Sequence, residues 1–144
     1  VDAGPAQQVP DAIIEKADVL SPNETEAEAI TGVAIHSLDD AREAGRELLE
    51  RGARRVVVKL GAMGALYIDD KEWIHVPAFS ITPVDTTAAG DAFTAALALV
   101  WKERRPGDAL AFANAAGALA ATVAGAQPSM PARAAVDAFL RTQG

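Results

Sequence analysis

Asp85-Thr86-Thr87-Ala88-Ala89-Gly90-Asp91 runs straight into the apolar segment Ala92-Phe93-Thr94-Ala95-Ala96-Leu97-Ala98-Leu99-Val100, and the rest of the chain is organised around this stretch. It reads as a phosphate-handling turn that opens a helix. Ala88, Ala89 and Gly90 carry little or no side chain, so the backbone there can approach a ligand closely. The first N–H groups of the following helix have no acceptors within it, and the positive end of the helix dipole favours an anion. Asp91 then has two readings: it stabilises the helix start by its charge, or it is a base held next to the phosphate that is attacked.

Outward from this turn the chain alternates helix and strand signals, an α/β pattern in which helices cover a sheet and ligands gather beyond the carboxyl ends of the strands. Asp11-Ala12-Ile13-Ile14-Glu15-Lys16 after Pro10 predicts a short helix, and Ala17-Asp18-Val19-Leu20 a short strand. Asn23 is placed to cap a helix that ends near Gly32, with Glu26 three residues on in the position of a capping box. Ser37 caps the next predicted helix, whose Leu38, Ala41, Ala44, Gly45, Leu48 and Leu49 form an apolar stripe before Gly52 ends it. Arg55-Val56-Val57-Val58-Lys59-Leu60 predicts a strand buried on both faces. Gly61-Ala62-Met63-Gly64 turns the chain into a second strand, Ala65 to Ile68, and Asp69-Asp70 with Glu72 to Val76 suggests an antiparallel hairpin. Beyond the opening stretch, Pro106-Gly107 is expected to stop its helix. Ala109 to Val123 predicts an interior helix, and Pro131 starts a last amphipathic one through Phe139 and Leu140. Trp73, Trp101 and Phe93 are read as core, and Arg104-Arg105 as solvated surface.

Composition narrows the function. The chain has 144 residues, the size of one ordinary domain, and its hydrophobic content of 50% supports a sizeable core. It has no cysteine, which removes disulfides and thiolate metal sites, and a reducing cytoplasm is the expected location. His36 and His75 lack ligand-like spacing. A formal net charge of −7 argues against nucleic acid or an anionic membrane as partner, and no apolar run approaches the ~20 residues of a membrane span. The chain opens on Val1, and Val1-Asp2-Ala3-Gly4-Pro5 reads as the end of a buried strand entering a turn, so an N-terminal part is expected before it.

Asp85 to Phe93 resembles the signature of the ribokinase family of carbohydrate kinases. Pro22-Asn23-Glu24-Thr25-Glu26, Lys59-Leu60-Gly61-Ala62-Met63-Gly64 and Gly125-Ala126-Gln127-Pro128-Ser129 extend the likeness in the same order. The resemblance implies a ribokinase-like three-layer α/β sandwich, of which residues 1–144 are the C-terminal nucleotide-binding and catalytic part, with a mostly parallel sheet flanked by helices. It also implies that the N-terminal half, which carries the sugar-binding residues and a β-sheet lid, is absent, so that this chain alone is an incomplete kinase.

The implied reaction moves the γ-phosphate of ATP to a sugar hydroxyl. The loop at Gly125 leans toward the ribokinase branch, so ribose is the expected acceptor, giving ribose 5-phosphate; fructose or a nucleoside is the alternative. Carried over position by position, Asp91 is the base and the N–H groups of Ala88, Ala89, Gly90 and Asp91 form the anion hole. Asn23 and Glu26 lie near the phosphates and Mg2+, Lys59, Gly61 and Gly64 border the nucleotide, and Asn114 lies beside the adenine. A monovalent cation, K+, is implied at Asp85, Thr87, Ala120, Val123, Gly125 and Ser129. A Walker-type lysine is absent, so this is not a P-loop. The partners are then a small sugar and ATP, with a homodimer left open.

Plainer roles stand beside these. Asn23 and Glu26 can be a capping pair alone, Lys59 can extend its head to water, and Asn114 can be a core amide with a local partner. On those readings the chain is a non-catalytic nucleotide-binding or interaction fragment.

Overall fold

Asn23, Ser37 and Pro106 each start a helix as their chemistry dictates, and these starts set the frame of the molecule. The structure, a computed structural model, describes residues 10–81, 84, 89–122 and 131–143. The expected strand end at Val1 to Pro5 and the Gly125 loop lie outside the described residues. The chain forms two units, Val1–His75 and Val76–Gly144.

In the first unit, α1 (Asp11–Lys16) follows Pro10, whose missing N–H is no loss at a helix start. Asn23 caps α2 (Glu24–Thr31), and Gly32 ends it at φ 79°, a left-handed conformation that glycine adopts without strain. At the start of α3 (Leu38–Glu50), Ser37 Oγ accepts from the Asp40 N–H at 3.1 Å. Its buried stripe is Ala41, Ala44, Gly45 and Leu48, as the helical spacing predicts. Three strands follow, β1 (Val56–Lys59), β2 (Ala65–Ile68) and β3 (Trp73–Val76), in the order β1-β2-β3. β1 and β2 run antiparallel, with Val56 opposite Ile68 and Lys59 opposite Ala65. Val56, Val58, Leu66 and Ile68 join Ile14, Leu20, Ile30 and Leu48 in one buried cluster. α3 lies so close to β2 that a Cβ added at Gly45 would stand 2.6 Å from Ile68 Cγ2.

The expected strand at Ala17 to Leu20 is reduced to two isolated parallel bridges to β1, Leu20 to Val56 and Asn23 to Lys59. Leu20 exchanges bonds with Arg55 and Val57, and Lys59 N–H donates to Pro22 O at 2.8 Å. Pro22 has no N–H to return, so the ladder is interrupted there. The mostly parallel sheet expected from the sequence is therefore represented, among the described residues, by these bridges, while the ladder on the other side of β1 is antiparallel.

In the second unit, α4 (Ala89–Val100), α5 (Pro106–Ala121) and α6 (Arg133–Gln143) pack through small residues. α5 buries Ala109, Leu110, Phe112, Ala113 and most of its later alanines, as expected of an interior helix. Pro106 was expected to stop the preceding helix; instead α4 ends at Val100 and Pro106 is the first residue of α5. Its fixed φ and missing N–H suit a helix start better than a stop.

Two expectations about side chains are corrected. Arg104 is not merely solvated, because it pairs with Asp137 of α6 at 3.0 Å and lies over the Phe112 ring. Beside it, Arg133 binds Glu103 at 2.6 Å and holds that carboxyl below its usual range. Trp73 is 43% exposed rather than core, with the Arg42 guanidinium 4.3 Å from its ring centre. Phe93 is buried as expected and Trp101 is half-buried. Among the described residues no helix is long and apolar enough to cross a membrane.

Candidate functional site

Polar residues at chain reversals supply the candidate groups in both units. In the first unit they gather where α2 begins beside the end of β1. Asn23 Oδ1 accepts from the Glu26 N–H at 2.8 Å, and Glu26 Oε2 accepts from the Asn23 N–H at 3.2 Å, a complete capping box. A third bond, Asn23 Nδ2 to Glu26 Oε1 at 2.9 Å, ties the side chains directly. Glu26 is only 6% exposed, so a buried carboxylate is held in one orientation by two donors from a single neighbour. Each of its oxygens keeps a further lone pair, so this carboxylate is still able to accept from a metal-bound water.

Lys59 reaches the same place through its bridge to Asn23. The chain then makes a single 3₁₀ turn, Gly61–Met63, with Gly61 at φ 56° and Gly64 at φ 93°. Neither glycine can be replaced there without strain. The turn is closed by Leu60 N–H to Gly64 O at 2.8 Å and Gly64 N–H to Gly61 O at 3.0 Å. A Cβ on Gly61 would meet Glu24 Oε1 at 3.6 Å, so the turn lies beside the first residue of α2. The structure thus brings together Asn23, Glu26, Lys59, Gly61 and Gly64, and adds Glu24. The sequence gives Glu24 no role beyond its place in the Pro22-Asn23-Glu24-Thr25-Glu26 stretch; its neighbourhood to Gly61 is a tertiary fact.

In the second unit the candidate groups open α4. Ala89, Gly90 and Asp91 form its first turn, where backbone N–H groups have no acceptor within the helix. Gly90 and Asp91 are exposed, and a Cβ added at Gly90 would meet nothing within 4 Å. Packing of the described residues therefore gives no reason for a glycine here. Gly117 of α5 is different: its Cβ would stand 3.3 Å from Ala89 O and 3.8 Å from Phe93 Cβ. A glycine at 117 lets α5 lie against the first turn of α4. The signal in the sequence was a glycine interrupting an alanine-rich helix, and it was not used.

Asn114 has the local partners that its plainer reading expects. It is buried on α5, and its Nδ2 donates to Val76 O at 3.1 Å and Pro77 O at 3.2 Å. Those carbonyls lie at the last residue of β3 and the one after it, and the amide supplies each with a donor. Ala120, the one described residue of the expected cation set, is buried in the last turn of α5, where its carbonyl accepts from the Thr122 N–H. Asp85, Thr87, Ala88, Val123, Gly125 and Ser129 lie outside the described residues. Among the described residues no group of three His, Cys, Asp or Glu side chains is placed to hold a metal ion.

Comparison with known proteins adds the lineage. The model of the pfkB family carbohydrate kinases matches residues 1–133. Ribokinase of Arabidopsis thaliana is 39% identical over 138 residues, which cover 92% of this chain and 36% of that protein. Ribokinase of Haemophilus influenzae is 34% identical, covering 97% of this chain and 46% of that protein. The chain therefore spans less than half the length of these relatives. Among solved structures, Arabidopsis thaliana ribokinase complexed with ribose and ATP superposes with a TM-score of 0.91 at 35% identity, covering 97% of this chain and 46% of that one. An Escherichia coli protein described as a ribokinase II, in complex with ATP and Mg2+, gives 0.78 at 32% identity, covering 92% and 42%. Phosphofructokinase-2 of Escherichia coli, in complex with potassium, gives 0.80 at 27% identity, covering 93% and 43%. The fold is that of the ribokinase-like α/β proteins.

Proposed function

This chain belongs to the pfkB family of carbohydrate kinases, and on that premise we propose that it is the nucleotide-binding and catalytic part of a ribose kinase. The observation that carries this reading is the first turn of α4, where Asp91 is exposed directly after a glycine that the described packing does not require. A phosphate seated on those N–H groups needs the bare backbone of Gly90 and an adjacent acceptor for a proton.

In the proposed reaction a sugar hydroxyl attacks the γ-phosphorus of ATP. The new O–P bond forms, the bond to the β-phosphate oxygen breaks, and ADP leaves while Asp91 accepts the hydroxyl proton. Transfer of this kind asks mainly for positioning and for stabilisation of charge on the transferred group. The N–H groups of Ala88 to Asp91 supply the latter. Asn23 and Glu26 lie toward the phosphates, and Lys59 with the Gly61 and Gly64 turn borders the nucleotide, with Asn114 on its adenine side. Mg2+ would neutralise phosphate charge, with Glu26 accepting from its waters; the buried, doubly anchored carboxylate fits that role better than direct coordination. K+ is assigned to Asp85, Ser129 and the carbonyls of Thr87, Ala120, Val123 and Gly125. The same reading makes a sugar and ATP the partners rather than nucleic acid, puts the protein in the cytoplasm and leaves a homodimer open.

The test is ADP release by the complete protein that carries this chain, with ribose, fructose and nucleosides offered in turn. Ribose-dependent release is the expected result. Release with another acceptor alone would move the substrate assignment, and ATP binding without release on any acceptor would favour a non-catalytic nucleotide-binding module.

A further inference from the structure

The Gly61–Gly64 turn contains its own hydrogen bonds but has little to hold it to the rest of its unit. Gly61, Ala62 and Met63 are all exposed, so side-chain packing does not anchor it. Two of its residues are glycines in left-handed backbone conformations, which makes the segment soft. Its internal bonds use Leu60 O, Gly61 O and Gly64 O as acceptors, a set that does not include Met63 O. That carbonyl is met by His75, whose Nε2 lies 2.6 Å away. This bond ties the turn to a side chain of another element, β3.

We propose that His75 is a positioning residue for the nucleotide: its ring latches the Met63 carbonyl and so holds the turn before ATP arrives. This rests on the reading that the turn borders the nucleotide. A carbonyl oxygen can only accept, so Nε2 carries the proton and the neutral ring is the Nε2–H tautomer. The site of His75 on β3 matters as well. β3 lies beyond β2 in the sheet, so the bond spans from the far strand back to the turn that precedes the middle one. A latch of this kind lowers the number of conformations the turn must surrender on binding, and so acts on affinity rather than on the chemical step.

Loss of one neutral hydrogen bond corresponds to about a 2- to 10-fold change in a binding constant. His75→Ala in the complete protein is therefore expected to raise the ATP KM and the calorimetric ATP Kd by that factor with kcat little changed. His75→Gln, whose amide can donate to the same carbonyl, is expected to restore most of the affinity. Two readouts do not depend on sugar turnover: the ring ¹⁵N shifts of the wild type should show the Nε2–H tautomer, and amide exchange at Gly64 should quicken in His75→Ala. An Nδ1–H ring, or a His75→Ala protein with unchanged ATP affinity, would overturn the proposal. A wild-type protein that binds no ATP would instead overturn the kinase reading, and Gly64 exchange would then decide the latch by itself.

Discussion

At Gly90 the described packing leaves room for a methyl group, and the proposed chemistry does not. Gly90→Ala is therefore expected to leave the unfolding midpoint unchanged while turnover falls by ~10²-fold, the cost of displacing a reacting group by about 1 Å. Equal losses in stability and activity would assign the glycine to the fold. Glu26 poses the converse question, since it is both a cap and the proposed acceptor for metal-bound water. Glu26→Gln retains an oxygen for the Asn23 N–H but turns its own NH2 toward the Asn23 Nδ2 donor, so stability should fall by about the ~1 kcal/mol typical of a lost cap, and the Mg2+ requirement should rise. A denaturant midpoint and a Mg2+ titration of turnover separate the two. The capping box was legible from Asn23 and Glu26 alone, because its spacing is fixed by the helix itself. Glu24 beside Gly61 and Asn114 on the carbonyls of Val76 and Pro77 were not legible, because such contacts join residues that only tertiary folding makes neighbours.

Among the elements, the β2–β3 hairpin carries its own acid sensitivity. Burial and the bond to Asp69 at 2.7 Å both raise the Tyr67 hydroxyl above its usual range. Burial also opposes ionisation of Asp69. The Tyr67 hydroxyl and the N–H groups of Lys71 and Glu72 outweigh it, holding that carboxyl below its ordinary value. The Asp69 contribution is thus fully present above the unfolded carboxyl pKa of about 4 and is lost as pH falls through the lower folded value. Tyr67→Phe should accordingly cost about 1 kcal/mol at neutral pH, and the gap to the wild type should close under acid, as read by urea unfolding at several pH values. A gap independent of pH would mean that the hydroxyl's contact with Arg55, not its bond to Asp69, is what the substitution removes. In α3, Gly45→Ala adds a methyl at 2.6 Å from Ile68 Cγ2. The helix propensity gained by alanine is about 1 kcal/mol and overpacking typically costs 1–3, so a net loss near 1 kcal/mol is expected in the same assay. Helices α1 to α3 were readable because caps and apolar spacing are local signals. Pro106 misled because the same ring that stops one helix is suited to start the next, and only the early end of α4 at Val100 tells which. The short strand before Asn23 was overstated because one proline interrupts its ladder.

For the molecule as a whole, the sequence carried the family more clearly than the sheet. Asp85 to Asp91 points to the fold, yet which strands are parallel depends on pairings distant along the chain. The chain also spans less than half of the relatives it matches, so the account of catalysis concerns the complete protein. K+ is expected to raise its turnover relative to a bulky organic cation at equal ionic strength; an identical rate in both would remove the cation assignment. The central claim is that Asp91 takes the proton from the sugar, and it is tested most directly by steady-state ADP release with ribose for the wild type and Asp91→Asn. A positioned base typically contributes ~10²–10⁴ in rate, so kcat should fall by at least ~10² with the ATP KM little altered. An Asp91→Asn protein that phosphorylates ribose within a few-fold of the wild-type rate would contradict the account.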